Sequence, residues 1–169
     1  MAIFPARILV AVEDTPPARR ALDASVELQA STGSELVLVH VKLLSHYVTG
    51  DAPSPAAYEK AEAEGRALLE AEAARARESG ASVDQALLRM GRQIDTELVN
   101  VANEVGATLL VLGSKARKPQ GASVRVGVSL DLVRDAPCSV LFARERDEAR
   151  AGPLRAGTVS TEPGGPLPA

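Results

Sequence analysis

Hydrophobic positions along this chain fall into five short aliphatic runs, at residues 8–12, 36–41, 83–88, 109–112 and 140–142. The first, second and fourth are nearly unbroken, as strands covered on both faces are. The third is interrupted by Asp84 and Gln85, which suits the edge of a sheet. Between the runs the apolar residues take a helical period. Ala18, Ala21, Leu22, Ser25 and Leu28 recur at steps of three and four, and Gly33 follows as a stop. Ser54 and Pro55 read as the N-cap and first residue of a long helix ending near Ser79 and Gly80. Its Arg75 and Arg77 sit where a helix dipole favours positive charge. Ile94, Leu98, Val101, Ala102 and Val105 form the cleanest stripe, stopped by Gly106. A fourth, shorter helix is predicted over residues 127–135, ahead of Pro137.

Strands alternating with helices of this length predict an α/β domain: an open, five-stranded parallel sheet with helices on both faces. At 169 residues there is material for one such domain, over 1–146. Residues 147–169 carry Pro and Gly without a periodic apolar face and are expected to be a disordered tail. Aromatic residues make up only 2% of the chain, so the core is aliphatic. A net charge of −3 gives no general pull toward nucleic acid or an anionic membrane. No apolar run approaches the roughly 20 residues of a membrane span, and residues 1–7 lack the pattern of a secretory signal. With Cys138 as the lone cysteine, a reducing cytoplasm is the expected location.

Sheets of this kind bind ligands beyond the carboxyl ends of their strands, so the loops after the first, second and fourth runs are the candidates. After the first come Glu13, Asp14 and Thr15. The paired carboxylates suit a ribose or a metal, while Asp14 or Thr15 equally suits the N-cap of the next helix. After the fourth comes a loop in which Lys115, Arg117, Lys118 and Arg125 face no acidic residue before Leu130. A basic loop leading into a helix N-terminus favours an anion; an ordinary solvated connector has the same composition. His40 lies inside an apolar strand and reads as a hydrogen-bonded structural histidine; His46 has no catalytic companion in sequence. Cys138 reads as a small buried thiol. No metal-ligand cluster and no Walker-type phosphate loop occurs, and nothing has the spacing of a catalytic constellation.

Four joint motifs resemble the universal stress protein family. Residues 8–15, Ile-Leu-Val-Ala-Val-Glu-Asp-Thr, look like its opening strand, which usually ends Val-Asp-Gly-Ser. Residues 36–41, Leu-Val-Leu-Val-His-Val, look like its second. Residues 109–114, Leu-Leu-Val-Leu-Gly-Ser, resemble its fourth strand and turn. Residues 131–141 resemble the last helix and strand, with Ala136, Pro137 and Cys138 the most recognisable part. The likeness covers residues 6–144 and implies a Rossmann-like, adenine-nucleotide-alpha-hydrolase-like domain that commonly forms a homodimer.

Some members bind ATP or AMP between the loops after strands one and four. Their signature is Gly, two residues, Gly, nine residues, then Gly followed by Ser or Thr. Gly113 fits the first position, but Ala116, Val126 and Gly127 occupy the other three. Glu13 stands for the family Asp and Asp14 for the Gly. The candidate nucleotide or anion site is therefore Val12, Glu13, Val41, Gly113, Ser114, Lys115, Arg125, Gly127 and Val128. Val41 matches the position that lines the adenine pocket. The final strand, with Val140, Leu141 and Phe142 uninterrupted by Pro or Lys, is the expected homodimer edge.

The resulting expectation is a non-catalytic, cytoplasmic stress-response module, with a degraded ATP loop and an unnamed protein partner. The alternatives are an ATP- or AMP-binding member with weak ATPase activity, and an interaction module with a vestigial pocket attached to a transporter or kinase system.

Overall fold

The computed structural model describes residues 4–44, 54–114 and 130–144. Five parallel strands alternate with four helices: β1 (Arg7–Ala11), α1 (Pro16–Thr32), β2 (Glu35–Leu43), α2 (Pro55–Glu78), β3 (Gln85–Gly91), α3 (Ile94–Val105), β4 (Leu109–Ser114), α4 (Leu130–Asp135) and β5 (Ser139–Arg144). The sheet order is β3-β2-β1-β4-β5, which puts the patchy third strand and the last strand at the two edges.

Alternation along each strand builds two cores. Ile8, Val10 and Val12 of the first segment point to one face with Leu36, Leu38, Leu109 and Val111, beneath Ala21 and Leu22 of α1 and Leu69, Ala73 and Ala76 of α2. Leu9, Val37, Val39, Leu110 and Leu112 point to the other, beneath Leu98, Val101, Ala102 and Val105 of α3 and Leu132 of α4. This double burial is why the central strands read as unbroken apolar runs.

Helix boundaries follow local chemistry. Thr15 accepts the Ala18 N–H at the start of α1, and Ser54 accepts the Ala57 N–H at the start of α2. Gly33 and Gly106 end α1 and α3 in the left-handed region, where a side chain would be strained.

β3 departs from expectation, running Gln85–Gly91 rather than over 83–88. Asp84 is the reason: its N–H donates to Leu36 O at 2.9 Å and its Oδ2 accepts the Leu36 N–H at 2.8 Å. The residue that breaks the apolar run is the clasp that opens the strand, and pairing then extends to Leu43 opposite Gly91. Lys115, Arg117, Lys118, Arg125, Gly127 and Val128, His46, the predicted start of the last helix before Leu130, and the expected tail at 147–169 lie outside the described residues. Among the described residues no helix is long and apolar enough to cross a membrane.

Candidate functional site

β1 and β4 lie side by side, yet β1 leads to a helix on one face and β4 to a helix on the other. The chain diverges between their carboxyl ends, and the crevice this leaves is where sheets of this kind take ligands.

The turn after β1 is occupied with its own bonds. Thr15 N–H donates to Glu13 O at 2.8 Å, and the Thr15 hydroxyl donates to Glu13 Oε1 at 2.8 Å while accepting from Ala18 N–H at 3.3 Å. Asp14 pairs with Arg19 at 2.6 Å. The two carboxylates thus serve the cap and the helix, and Thr15, not Asp14, is the N-cap. Pro16 and Pro17 have no N–H to offer, and Arg19 N–H goes to Thr15 O at 3.0 Å. The first turn of α1 therefore presents no spare donor to a phosphate. Among the described residues no group of three or more His, Cys, Asp or Glu stands where it could hold a metal ion.

At the end of β4, Gly113 answers to packing. A Cβ there would fall inside the Pro17 carbonyl and 2.6 Å from the Ala18 nitrogen. Helix α1 rests its first turn directly on this residue, so its glycine is demanded by the helix, a different requirement from close approach to a phosphate. Ser114, next along, is buried.

Val12 and Val41, predicted to share a pocket, face opposite layers. Val12 is 3% exposed, in the core beneath α1 and α2, whereas half-buried Val41 packs on the α3 and α4 side beside Ala11. Val12 thus brings no side chain to Val41's face, because residues on one strand alternate and the two strands run in register. Ala11 is the β1 residue on Val41's side; the period-2 alternation of the first run carries that signal. The Val12 N–H donates to Val39 O at 2.8 Å, and the Val12 carbonyl accepts from His40 Nδ1 at 2.8 Å. Buried His40 thus holds the end of β1. Burial pushes its pKa below the ordinary histidine range, against the Val12 bond, which works the other way.

On Val41's side an open depression of about 640 Å³ lies between Leu43, the turn after β3, and helices α3 and α4. Its walls carry both signs: Arg92 and Arg134 against Asp95, Asp131 and Asp135. Arg134 is held by Asp135 at 2.9 Å and Asp131 at 3.2 Å. At the sheet's far edge Val140 and Phe142 pack toward one core and Leu141 toward the other, all half-buried. Cys138 is half-buried beside them, its thiol pushed up by burial.

The universal stress protein family model matches residues 6–144. Among solved structures, a universal stress protein family protein from Burkholderia pseudomallei is 31% identical, with 81% of this chain and 94% of that one covered and a TM-score of 0.60. The universal stress protein from Archaeoglobus fulgidus is 23% identical, with 80% and 96% covered and a TM-score of 0.62. A family member from Arabidopsis thaliana with AMP bound is 19% identical, with 86% and 95% covered and a TM-score of 0.57. Among curated proteins, none matches this chain in sequence.

Proposed function

The chain belongs to the universal stress protein family, and from that membership we propose that it works as a dimeric, non-catalytic stress-sensing module whose mouth holds adenine nucleotide weakly or not at all. Relatives carrying AMP, cAMP or dAMP supply the ligand class. The altered signature carries the reading: Ala116 and Val126 where binders have glycine, and Gly127 where they have a hydroxyl. Two lost close approaches and one lost hydroxyl bond forfeit on the order of 3 kcal/mol at about 1 kcal/mol each, or roughly a hundredfold in affinity. Lys115, Arg117, Lys118 and Arg125 leave room for a weaker, salt-sensitive grip on an anion. Calorimetry with ATP and Mg²⁺ tests this: a dissociation constant in the low micromolar range overturns it.

The dimer half of the proposal rests on β5, an edge strand with Val140, Leu141 and Phe142 in sequence and no blunting Pro or Lys. Antiparallel pairing of two such edges across a two-fold axis satisfies their backbone groups. Val140→Pro then yields monomer by analytical ultracentrifugation; equal dimer in both proteins removes β5 from the interface. We place the module in a reducing cytoplasm, in keeping with the lone Cys138. Its protein partner is unnamed by anything in these residues.

A further inference from the structure

Helices α1 and α2 lie on the same face of the sheet, and charges join them. The buried stripe of α2 is Ala61, Gly65, Leu69, Glu72, Ala73 and Ala76. Glu72 is the one charge in it, 6% exposed, and the reading above makes no use of it. A carboxylate taken out of water has to be met by opposite charge. Two guanidiniums meet this one. Arg75, three residues on in α2, donates from Nε to Glu72 Oε2 at 3.1 Å. Arg19 of α1 brings its Nε to 3.7 Å from Glu72 Oε1.

Each arginine then reaches further. Arg75 Nη1 donates to Asp23 Oδ1 at 2.9 Å, and its Nη2 to the Arg19 carbonyl at 3.1 Å. One planar fork thus spans a carboxylate of its own helix and two groups of α1, which a lysine's single nitrogen could not do. Arg19 Nη2 donates to Asp14 Oδ1 at 2.6 Å, in the turn that leaves β1. Both the backbone and the side chain of Arg19 are therefore tied to α2.

Arg19 belongs to the first turn of α1, where a helix has fewest partners of its own. Bonds from outside weigh most there. The same turn carries the Pro17 carbonyl and the Ala18 nitrogen, the two groups that lie against Gly113. Gly113 ends the apolar part of β4 and fits the first position of the family signature.

We propose that Glu72 and Arg75 are positioning residues for the mouth of the sheet: from α2 they hold the first turn of α1 against Gly113, and so set the seat from which the chain leaves β4. Glu72 orients the fork, the fork fixes Arg19, and Pro17 passes the position on. A displacement of α2 is then felt at Gly113. The clamp does not depend on the adenine-nucleotide reading given above, because it acts with or without a ligand.

NMR of the full chain tests this. The Gly113 Hα that faces the Pro17 carbonyl reports the seat. Exchange of the Arg19 amide, which donates to Thr15 O at 3.0 Å, reports the first turn. The double variant Glu72→Met/Arg75→Met removes the clamp and leaves an apolar seam, a replacement that folds commonly tolerate at a buried ion pair. A displaced Gly113 Hα resonance is expected there, with Arg19 amide exchange about tenfold faster, as loss of about one net hydrogen bond implies. Arg19→Met cuts one of the two ties at a half-exposed position and gives a smaller displacement. Gln29→Ala is the control: it weakens the far end of α1 and leaves the Gly113 Hα at its wild-type position. A Gly113 Hα unmoved in the double variant overturns the proposal, and so does an equal movement in Gln29→Ala. Should the double variant not fold, Arg19→Met decides alone, and an unmoved Gly113 there overturns the clamp.

Discussion

The two ends of the sheet are held together in different ways. At the end where the strands begin, side chains stitch neighbouring segments at many points. Arg7 reaches both Glu35 and the Val105 carbonyl. Thr108 Oγ1 accepts from Ala6 and Arg7 N–H and donates to Arg7 O, each at 3.0 Å. The Gln29 amide makes a reciprocal pair with Ser82, donating to its carbonyl at 2.6 Å and accepting its N–H at 3.0 Å. At the end where the strands finish, the described residues include the Gly113 contact with α1, the His40 bond to Val12 O, the Lys42–Glu64 ion pair between β2 and α2, and the bonds of Glu13, Asp14 and Thr15 around the α1 cap. At the first end these bonds join segments far apart in sequence, while at the second the described ones mostly serve the turn and helix that follow β1. In open parallel sheets ligands are generally taken at the carboxyl ends of the strands, the second of these two ends.

Three substitutions probe that contrast. The largest effect falls at the mouth, where it most threatens the distinction. Gly113→Ala drives a methyl into the backbone of Pro17 and Ala18, which cannot swing aside as a side chain can. A loss of about 3 kcal/mol in urea unfolding is expected. Unchanged stability would mean that α1 does not rest on Gly113. Next comes the opposite end: Gln29→Ala orphans both backbone groups of Ser82 and costs about 2 kcal/mol. A loss of a few tenths would show that water replaces the amide, and the stitched end would lose its special standing. Smallest is Thr15→Ala, which removes the α1 cap for about 1 kcal/mol. Because Glu13 loses its hydroxyl donor as well, faster amide exchange is expected at Glu13 and Thr15 but not at Ser82; exchange that quickens equally at both ends erases the comparison.

Much of the architecture can be read in the chain alone, because strands buried on both faces leave continuous aliphatic runs and helices end at Gly33 and Gly106. The edge strand is harder. Half-exposed, β3 tolerates Gln85 and Arg89, so its bounds come from pairing and from the Asp84 clasp rather than from hydrophobicity. The site is harder still. Gly113 is visible as the turn glycine that fits the first position of the family signature, but its reason lies in Pro17, nearly a hundred residues earlier and adjacent only in three dimensions. Val12 and Val41 each fit the family pattern, yet the pleat assigns them to different layers. His40 is apparent as a buried polar residue, whereas its partner carbonyl emerges only once β1 and β2 are paired.

The central position of β1 also governs the order of assembly. Ile8 pairs with Leu36 on one side and with Leu109 on the other. During synthesis the first partner arrives early, while the second emerges only about a hundred residues afterwards, so β1, β2 and β3 gather with one flank of the middle strand still bare. Closing so long a loop slows the final zippering. Until β4 arrives, that flank is a sticky row of backbone groups beside aliphatic side chains, the surface that chaperones shield on a nascent chain.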